Sequence, residues 1–527
     1  MTDFERTLTR QDLLRYGAVG AAAIAVGAVP RSSLAGTRAL AANPKSGGTL
    51  KFARSIAPTT LDPANTIIAG DIYTLDKIFE PLFVTSPAGK LTPWLATGYT
   101  LSKDKKTYTF DLRPGVKFSD GTPLTPADVV FSLDRSRKNP KGPLSFLDFA
   151  ITSTGASGAS KVVVQVSEPW APLLSDVSAF SNAIMPANFG GASEASFFAH
   201  PIGTGPFTVS GFTPNAPSLT LKRNPSYWQK GKPYLDAVTF LFVDDDNQRL
   251  LQLRGGQADL IDLVPPSQVS SLKADSNVHV LLSSSWQVDL LVLNEKDPHF
   301  ADRHVRRAIS QAINTSALAH AATFGTAKPG GSFFPPSLQY YSPHTKLLGH
   351  SLSAARAELA KSKYPKGFST EVLIDGGVQK WRTFAQIIQN QLKAIGITVK
   401  IRALDHAAFE EAFQKFDYKM FIDYAINDIS DPDEMASFEL DYKNGGSHSY
   451  WSSYNSASVT KLVRQAQSEF DSAKRAKLYA QIQSAVAQDA PFVALDYPPY
   501  INAYSTKVNG FAVNPGGAYR LENVWLA

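Results

Sequence analysis

The chain of 527 residues contains no cysteine at all. That excludes disulfides, thiolate metal sites, a cysteine nucleophile and a lipid-modified cysteine anchor. Charge is sparse and dispersed: Asp, Glu, Lys and Arg make up 19% of residues and the formal net charge is +6. No basic run is long enough to mark a nucleic-acid partner. There is no G-x-S-x-G elbow and no H-E-x-x-H helix. Gly203-Thr204-Gly205-Pro206 is followed by no Lys-Ser/Thr pair, which excludes a phosphate loop and leaves a tight turn. The nine histidines are scattered singly. His406 and Glu410 share a helical face without further ligands nearby, and no metal or cofactor is implied. No fixed-period repeat is present.

Long apolar runs are absent except near the start. Gly17 to Val29 (GAVGAAAIAVGAV) is too short to span a bilayer comfortably and follows Arg6, Arg10 and Arg15. Ala39-Leu40-Ala41 forms an A-x-A site. Residues 1–42 therefore read as an export signal, cleaved after Ala41 or Ala42. Thr9 to Arg15 is similar to the twin-arginine pattern, with Gln11 where the second arginine would stand; the Sec route is the alternative.

What remains is a chain with 43% hydrophobic residues and alternating helix and strand periods, the pattern of a soluble α/β protein of two or three domains. Val305, Ala308, Ile309, Ala312 and Ile313 form a helical stripe capped by Asp302. Phe384, Ile387, Ile388, Leu392 and Ile395 form another, ended by Gly396, and Ile397, Val399 and Ile401 alternate as the next strand. Leu478, Ile482, Ala485 and Val486 stripe a late helix. The Gly/Ser/Ala-rich stretch Ser153 to Ser160 reads as a loop tip.

The densest signal is Leu91 to Arg135. Tyr108, Phe110 and Leu112 alternate as a half-buried strand. Pro114-Gly115 and Ser119-Asp120-Gly121 are turns. Thr125-Pro126-Ala127-Asp128 starts a helix, with Thr as N-cap, Pro at the first position and an acid in the first turn. This stretch resembles the signature region of the family 5 extracellular solute-binding proteins, the dipeptide-, oligopeptide- and nickel-binding receptors of ABC importers. Other segments resemble that family in order: Gly47 to Leu50, Leu61-Asp62-Pro63, Ile78 to Leu82 (IFEPL), Pro201 to Phe207 (PIGTGPF), Asn224 to Trp228 (NPSYW), Asp302 to Asn314, and Asp428 to Pro432 (DISDP).

The resemblance implies a two-lobed periplasmic-binding-protein fold (type II, large cluster C), α/β, with an inserted subdomain and a hinge. Lobe I would take residues 43–82, 191–285 and 490–527, the inserted subdomain 83–190, and lobe II 286–489. The chain would cross between lobes near Trp286–Asn294 and near Ala490–Asp496. The implied function is capture of a peptide or peptide-like ligand between the lobes and delivery to an ABC permease driven by ATPase subunits, by a monomer that is not an enzyme. Without a cysteine anchor the protein would be periplasmic and not a lipoprotein. Opines, oligosaccharides and metal chelates are alternative ligands, and a secreted hydrolase is the rival class.

Carried over from the family, extended segments at Ile67, Ile68, Ala69 and Gly70 and at Tyr424, Ala425, Ile426 and Asn427 would pair with ligand backbone, as strand addition does. Asp428 would accept the ligand's ammonium. Ala425 stands where the family often has Trp, which implies a reshaped wall. Trp286, Trp381 and Tyr424 are candidate aromatic walls, and Arg382 a candidate partner for a ligand carboxylate.

Overall fold

The computed structural model describes residues 43–442 and 448–527. The export-signal reading of residues 1–42 lies outside the described residues.

Two large mixed sheets organise the chain. The first has seven strands, in the order Val278–Ser283, Tyr500–Ser505, Leu260–Ile261, Thr49–Arg54, Ala237–Phe242, Ser218–Arg223 and Phe207–Thr208. The second has six, in the order Lys328–Pro329, Phe492–Tyr497, Val288–Leu293, Met420–Ala425, Ser369–Asp375 and Thr398–Leu404. We call the bodies around them the first and second lobes. Three adjacent strands of the second sheet are buried along their whole length, as VDLLVL, MFIDYA and FVALDY require. Each carries one aspartate among apolar residues.

The helical stripes fold as their periods predict. Arg303–Ala312 is capped by Asp302, which accepts the His304 amide, and Val305, Ala308, Ile309 and Ala312 are buried. Gln379–Lys393 buries Phe384, Ile388 and Leu392 and leads into the strand Thr398–Leu404.

A separate four-stranded antiparallel sheet holds Ala96–Leu101, Thr107–Leu112, Lys161–Val166 and Ile151–Ser157. Tyr108, Phe110 and Leu112 point into its core. The helix Pro126–Arg137 starts with a capping box between Thr125 and Asp128. The loop reading of Ser153 to Ser160 is corrected: Ser153 to Ser157 pairs with Lys161 to Gln165, so only the tip turns. Ladder bonds override the poor strand propensity of small residues here.

The chain passes between the large sheets twice. One passage runs from Ser283 to Val288 and the other across Pro498-Pro499, between the strands Phe492–Tyr497 and Tyr500–Ser505. The second passage lies later than the Ala490–Asp496 expected, because Phe492–Tyr497 pairs with Val288–Leu293 and Lys328–Pro329. Residues 492–497 thus belong to the second sheet. The passages are tied together, since the Ser285 hydroxyl donates to the Pro498 carbonyl.

Several recurring motifs meet at one carboxylate. Glu80 is fully buried and accepts from Trp94 Nε1 (2.7 Å), Trp228 Nε1 (2.9 Å), Thr204 Oγ1 (2.9 Å), Tyr227 OH (3.1 Å) and Arg520 Nη2 (3.0 Å). Burial pushes its carboxyl up and Arg520 pulls it down. The glycines of PIGTGPF serve the same junction. The Gly205 amide donates to the Ile78 carbonyl at 2.9 Å, and a Cβ on Gly203 or Gly205 would collide with the backbone of Lys77 and Ile78. IFEPL, PIGTGPF, NPSYW and the start of the signature stretch are therefore parts of one structural knot.

Candidate functional site

The site begins where the strand Met420–Ala425 ends. Asn427 is fully buried, and its Nδ2 donates to the carbonyls of Ile429 and Asp431, both at 2.6 Å. Its Oδ1 accepts the Met435 amide at 3.0 Å. Asp431 accepts the Asp433 amide and forms a two-pronged buried pair with Arg475. Glu434 accepts the amides of Asp428 (2.7 Å) and Ile429 (3.2 Å). Asn427, Asp431 and Glu434 thereby lock the loop, and it presents Asp428 at the gap between the lobes.

Asp428 is half-buried and lines a cavity of about 110 Å³. Ile426 joins it from the second lobe, and Tyr73, Asp76, Tyr500 and Arg520 line it from the first. Burial above all holds the Tyr73 and Tyr500 hydroxyls above the ordinary tyrosine range; Arg54 opposes this at Tyr73, and the Asp428 charge adds to it at both. Arg520 is balanced by Glu80 and Glu522.

Two further cavities adjoin this one. A cavity of about 180 Å³ is lined by Gln287, Lys380, Trp381 and Tyr424 from the second lobe and by Pro265, Pro266 and Tyr500 from the first. A smaller one of about 30 Å³ lies within the first lobe among Arg54, Gly70, Tyr73, Asp262 and Tyr500. Pockets for drug-sized ligands run from roughly 300 to 1,000 Å³. Each of these three cavities falls below that range, so no one of them holds such a ligand as the lobes stand.

The lobes touch beyond the cavities. Ser175 and Ser430 hydroxyls lie 2.9 Å apart, the Ala171 amide donates to the Gln467 carbonyl at 2.7 Å, and Phe146 meets Phe438 with ring centroids 5.7 Å apart. Beneath this seam four carboxyls gather: Asp148 and Asp176 from the inserted sheet's side, Asp431 and Asp433 from the second lobe. Arg475 pairs with Asp431. Burial, followed by the Asp431 charge, pushes Asp433 up to about 8, and burial pushes Asp148 up to about 6.

The residues expected at the site separate into three groups. Asp428, Ile426, Tyr424 and Trp381 do line interlobe cavities, and the Trp381 and Tyr424 rings lie 6.4 Å apart. Ala69 and Gly70 line the small cavity, yet they are not extended: they open the helix Ala69–Leu75, with Ile68 as N-cap. Their carbonyls accept from the Arg54 guanidinium. Ile67 is buried in an apolar cluster with Ile429. At Tyr424 the backbone already has partners: its amide donates to Asp423 Oδ1 and its carbonyl accepts the Tyr450 hydroxyl.

The third group faces elsewhere. Asn427 is a loop lock. Ala425 sits in the second lobe's core beside Val288 and lines none of the three cavities, so the expected reshaped wall does not arise there. Trp286 is 1% exposed, donates to the Ser337 carbonyl, and packs against Gly516 at a chain passage. Arg382 is exposed, on the outer face of its helix. Two positions earlier, Lys380 turns inward to Asp289. Asp289 and Asp496 are fully buried partners on neighbouring strands; burial drives the Asp496 carboxyl well above its usual range, and Lys380 opposes this. Sequence patterns do not single out Tyr73, Tyr500 or Lys380. The one available signal is Pro498-Pro499, which marks a break in strand pairing just ahead of Tyr500.

Comparison with known proteins agrees with the two-lobed fold. The model of the bacterial extracellular solute-binding proteins, family 5 Middle, matches residues 90–447. The glutathione-binding protein GsiB of Escherichia coli O6:K15:H31 is 29% identical over 477 residues, 89% of this chain and 92% of that protein. The ABC transporter-associated periplasmic binding protein DppA from Helicobacter pylori, solved with peptide STSA, is 26% identical with a TM-score of 0.76, covering 92% of this chain and 98% of the other. AgaA from A. tumefaciens R10, solved with agropinic acid, is 27% identical with a TM-score of 0.75, covering 91% and 99%.

Proposed function

The chain belongs to family 5 of the bacterial extracellular solute-binding proteins, and on that premise we propose that its ligand is a short peptide or peptide-like molecule bearing a free amine. It is the solute-binding subunit of an ABC importer, with a two-lobed fold that captures ligand between the lobes. The observation that carries the ligand reading is the placement of Asp428. A rigid loop of the second lobe holds this carboxylate over a cavity lined mainly by the first lobe, between Tyr73 and Tyr500. An ammonium that enters here leaves water for a closed cleft, where a charge-assisted bond to a carboxylate is strong. Relatives named for glutathione and solved with a peptide support the same ligand class.

Trp381, Tyr424 and Lys380 form a second wall for the rest of the ligand. Backbone pairing plays a smaller part than in strand addition, because the Tyr424 amide and carbonyl and the Gly70 carbonyl already have partners within the protein. We read lobe I as 43–82, 191–285 and the C-terminal strip after Pro499, with 83–190 inserted, and lobe II as the rest. The protein acts as a monomer and hands its ligand to a permease pair with two ATPases. Residues 1–42 direct export, and the mature chain begins at Ala42 or Asn43 in the periplasm. Among the described residues no helix is long and apolar enough to cross a membrane.

Native mass spectrometry of the purified protein tests the ligand class. Recovery of an intact amine-bearing peptide supports it; recovery of an opine or a sugar moves the ligand to another class. Steady turnover of a peptide or glycoside panel would move the protein to the hydrolases. Intact mass of the exported form decides the start of the mature chain.

A further inference from the structure

We propose that Tyr500 sets the length of ligand this protein accepts, by standing as a fixed divider between the Asp428 cavity and the two cavities beside it. The inference rests on the peptide reading above. Tyr500 borders all three cavities and is the one side chain shared by the Asp428 cavity and the Lys380–Trp381–Tyr424 cavity.

Its position makes it a divider that does not travel with the second lobe. Tyr500 is the first residue after Pro498-Pro499 and pairs with Ser283, the last strand residue ahead of the other passage. It therefore stands at the root of both passages, on the first sheet. When the second lobe closes, Asp428 and Ile426 come down on one side of the ring, and Trp381, Lys380 and Tyr424 on the other.

The ring has little room to swing. Gly517 backs onto it with φ +88°, and a Cβ there would approach the Tyr500 ring and hydroxyl to 2.8 Å. The neighbouring Tyr73 hydroxyl faces the same glycine, and Tyr73 borders two of the cavities. A ligand anchored by its amine at Asp428 thus meets an aromatic wall after the first cavity, and only a chain thin enough to pass the ring reaches the Trp381 side. The Asp428 cavity of about 110 Å³ favours the shortest ligands. Removing the ring joins it to the cavity of about 180 Å³.

The experiment measures dissociation constants of a di- to hexa-alanine series by isothermal titration against the wild type, Tyr500→Ala, Tyr500→Val and Tyr500→Phe. Valine suits a strand position and keeps the fold testable if alanine weakens it. The wild type is expected to prefer the short members. Tyr500→Ala and Tyr500→Val are expected to shift the optimum by at least one residue and improve the longer peptides by roughly tenfold relative to the shorter. Tyr500→Phe, which keeps the ring, is expected to keep the wild-type length profile. An unchanged profile in Ala and Val overturns the divider. If the wild type binds no member of the series, the peptide reading fails on its own. The crystal structure of Tyr500→Val then decides the divider: joined cavities support it and separate cavities overturn it.

Discussion

The Glu80 junction allows a stability prediction to be worked from its contacts. Replacing Glu80 with alanine removes the acceptor for five donors. Thr204 and Tyr227 are buried, so their hydroxyls are left without water; each such loss costs about 1–3 kcal/mol. Arg520 loses its Glu80 partner, and breaking a buried pair costs about 3–5 kcal/mol. That figure falls toward its lower end here, because the Arg520 side chain is 18% exposed and keeps Glu522. Trp94 and Trp228 lie at the margin, where water can replace the carboxylate. The total for Glu80→Ala is about 5–9 kcal/mol, a large share of a typical folding free energy of about 5–15 kcal/mol. Glu80→Gln keeps one acceptor oxygen and the shape, and should cost roughly half as much. Urea unfolding followed by tryptophan fluorescence is the assay. Trp94 and Trp228 sit 5.2 Å apart on this carboxylate, so two of the seven tryptophans report on the junction. A Glu80→Gln midpoint indistinguishable from wild type, with an unchanged slope, would refute the reasoning and show that water already serves these donors.

Other outcomes follow from the cleft and the seam. Asp428→Ala should weaken an amine-bearing peptide by about 1.5–3 kcal/mol, the worth of a hydrogen bond to a charged group, and leave the N-acetylated peptide unaffected; equal losses by titration calorimetry would remove the amine site. Arg475→Met should cost about 3–5 kcal/mol by stranding Asp431, and Asp431→Asn in the same chain should recover much of it, as denaturant titration of the single and double variants would reveal. The carboxyls buried beneath the seam should make folding stability pH-dependent. Asp433 is raised to about 8 when buried, against 3.8 in water, so the folded state holds the extra proton between those values. Its stability is therefore greatest below about pH 4 for this group and declines as pH rises toward 8, by up to about 1.4 kcal/mol per unit for one proton. Asp433→Asn should flatten the melting temperature between pH 5 and 8 (roughly the window of this linkage); an identical slope in both proteins would assign the dependence elsewhere.

Local chemistry makes much of this protein legible in its sequence alone. The Thr125–Asp128 capping box, the Asp302 cap and the apolar stripes depend on neighbours two to four residues apart, and they form as their spacing requires. The resemblance carried by IFEPL, PIGTGPF and NPSYW places the family, and those motifs are built largely from residues of one junction. Their common purpose is not legible, because Glu80 meets Thr204, Trp228 and Arg520 across 124, 148 and 440 positions of sequence. Ser153 to Ser157 reads as a loop by composition, and only the opposite strand makes it a strand. The site divides in the same way. Asp428 is singled out by motif, but its role depends on two lobes enclosing it. Arg382 and Lys380 differ by two positions on one helix, hence face different ways, and only packing decides which meets the cleft. Tyr500 has no motif at all. Its position between three cavities arises from the paired strands, the two chain passages and the closed lobes together. Those contacts join residues far apart in the chain, and they set the burial and local dielectric that determine what each charge is worth.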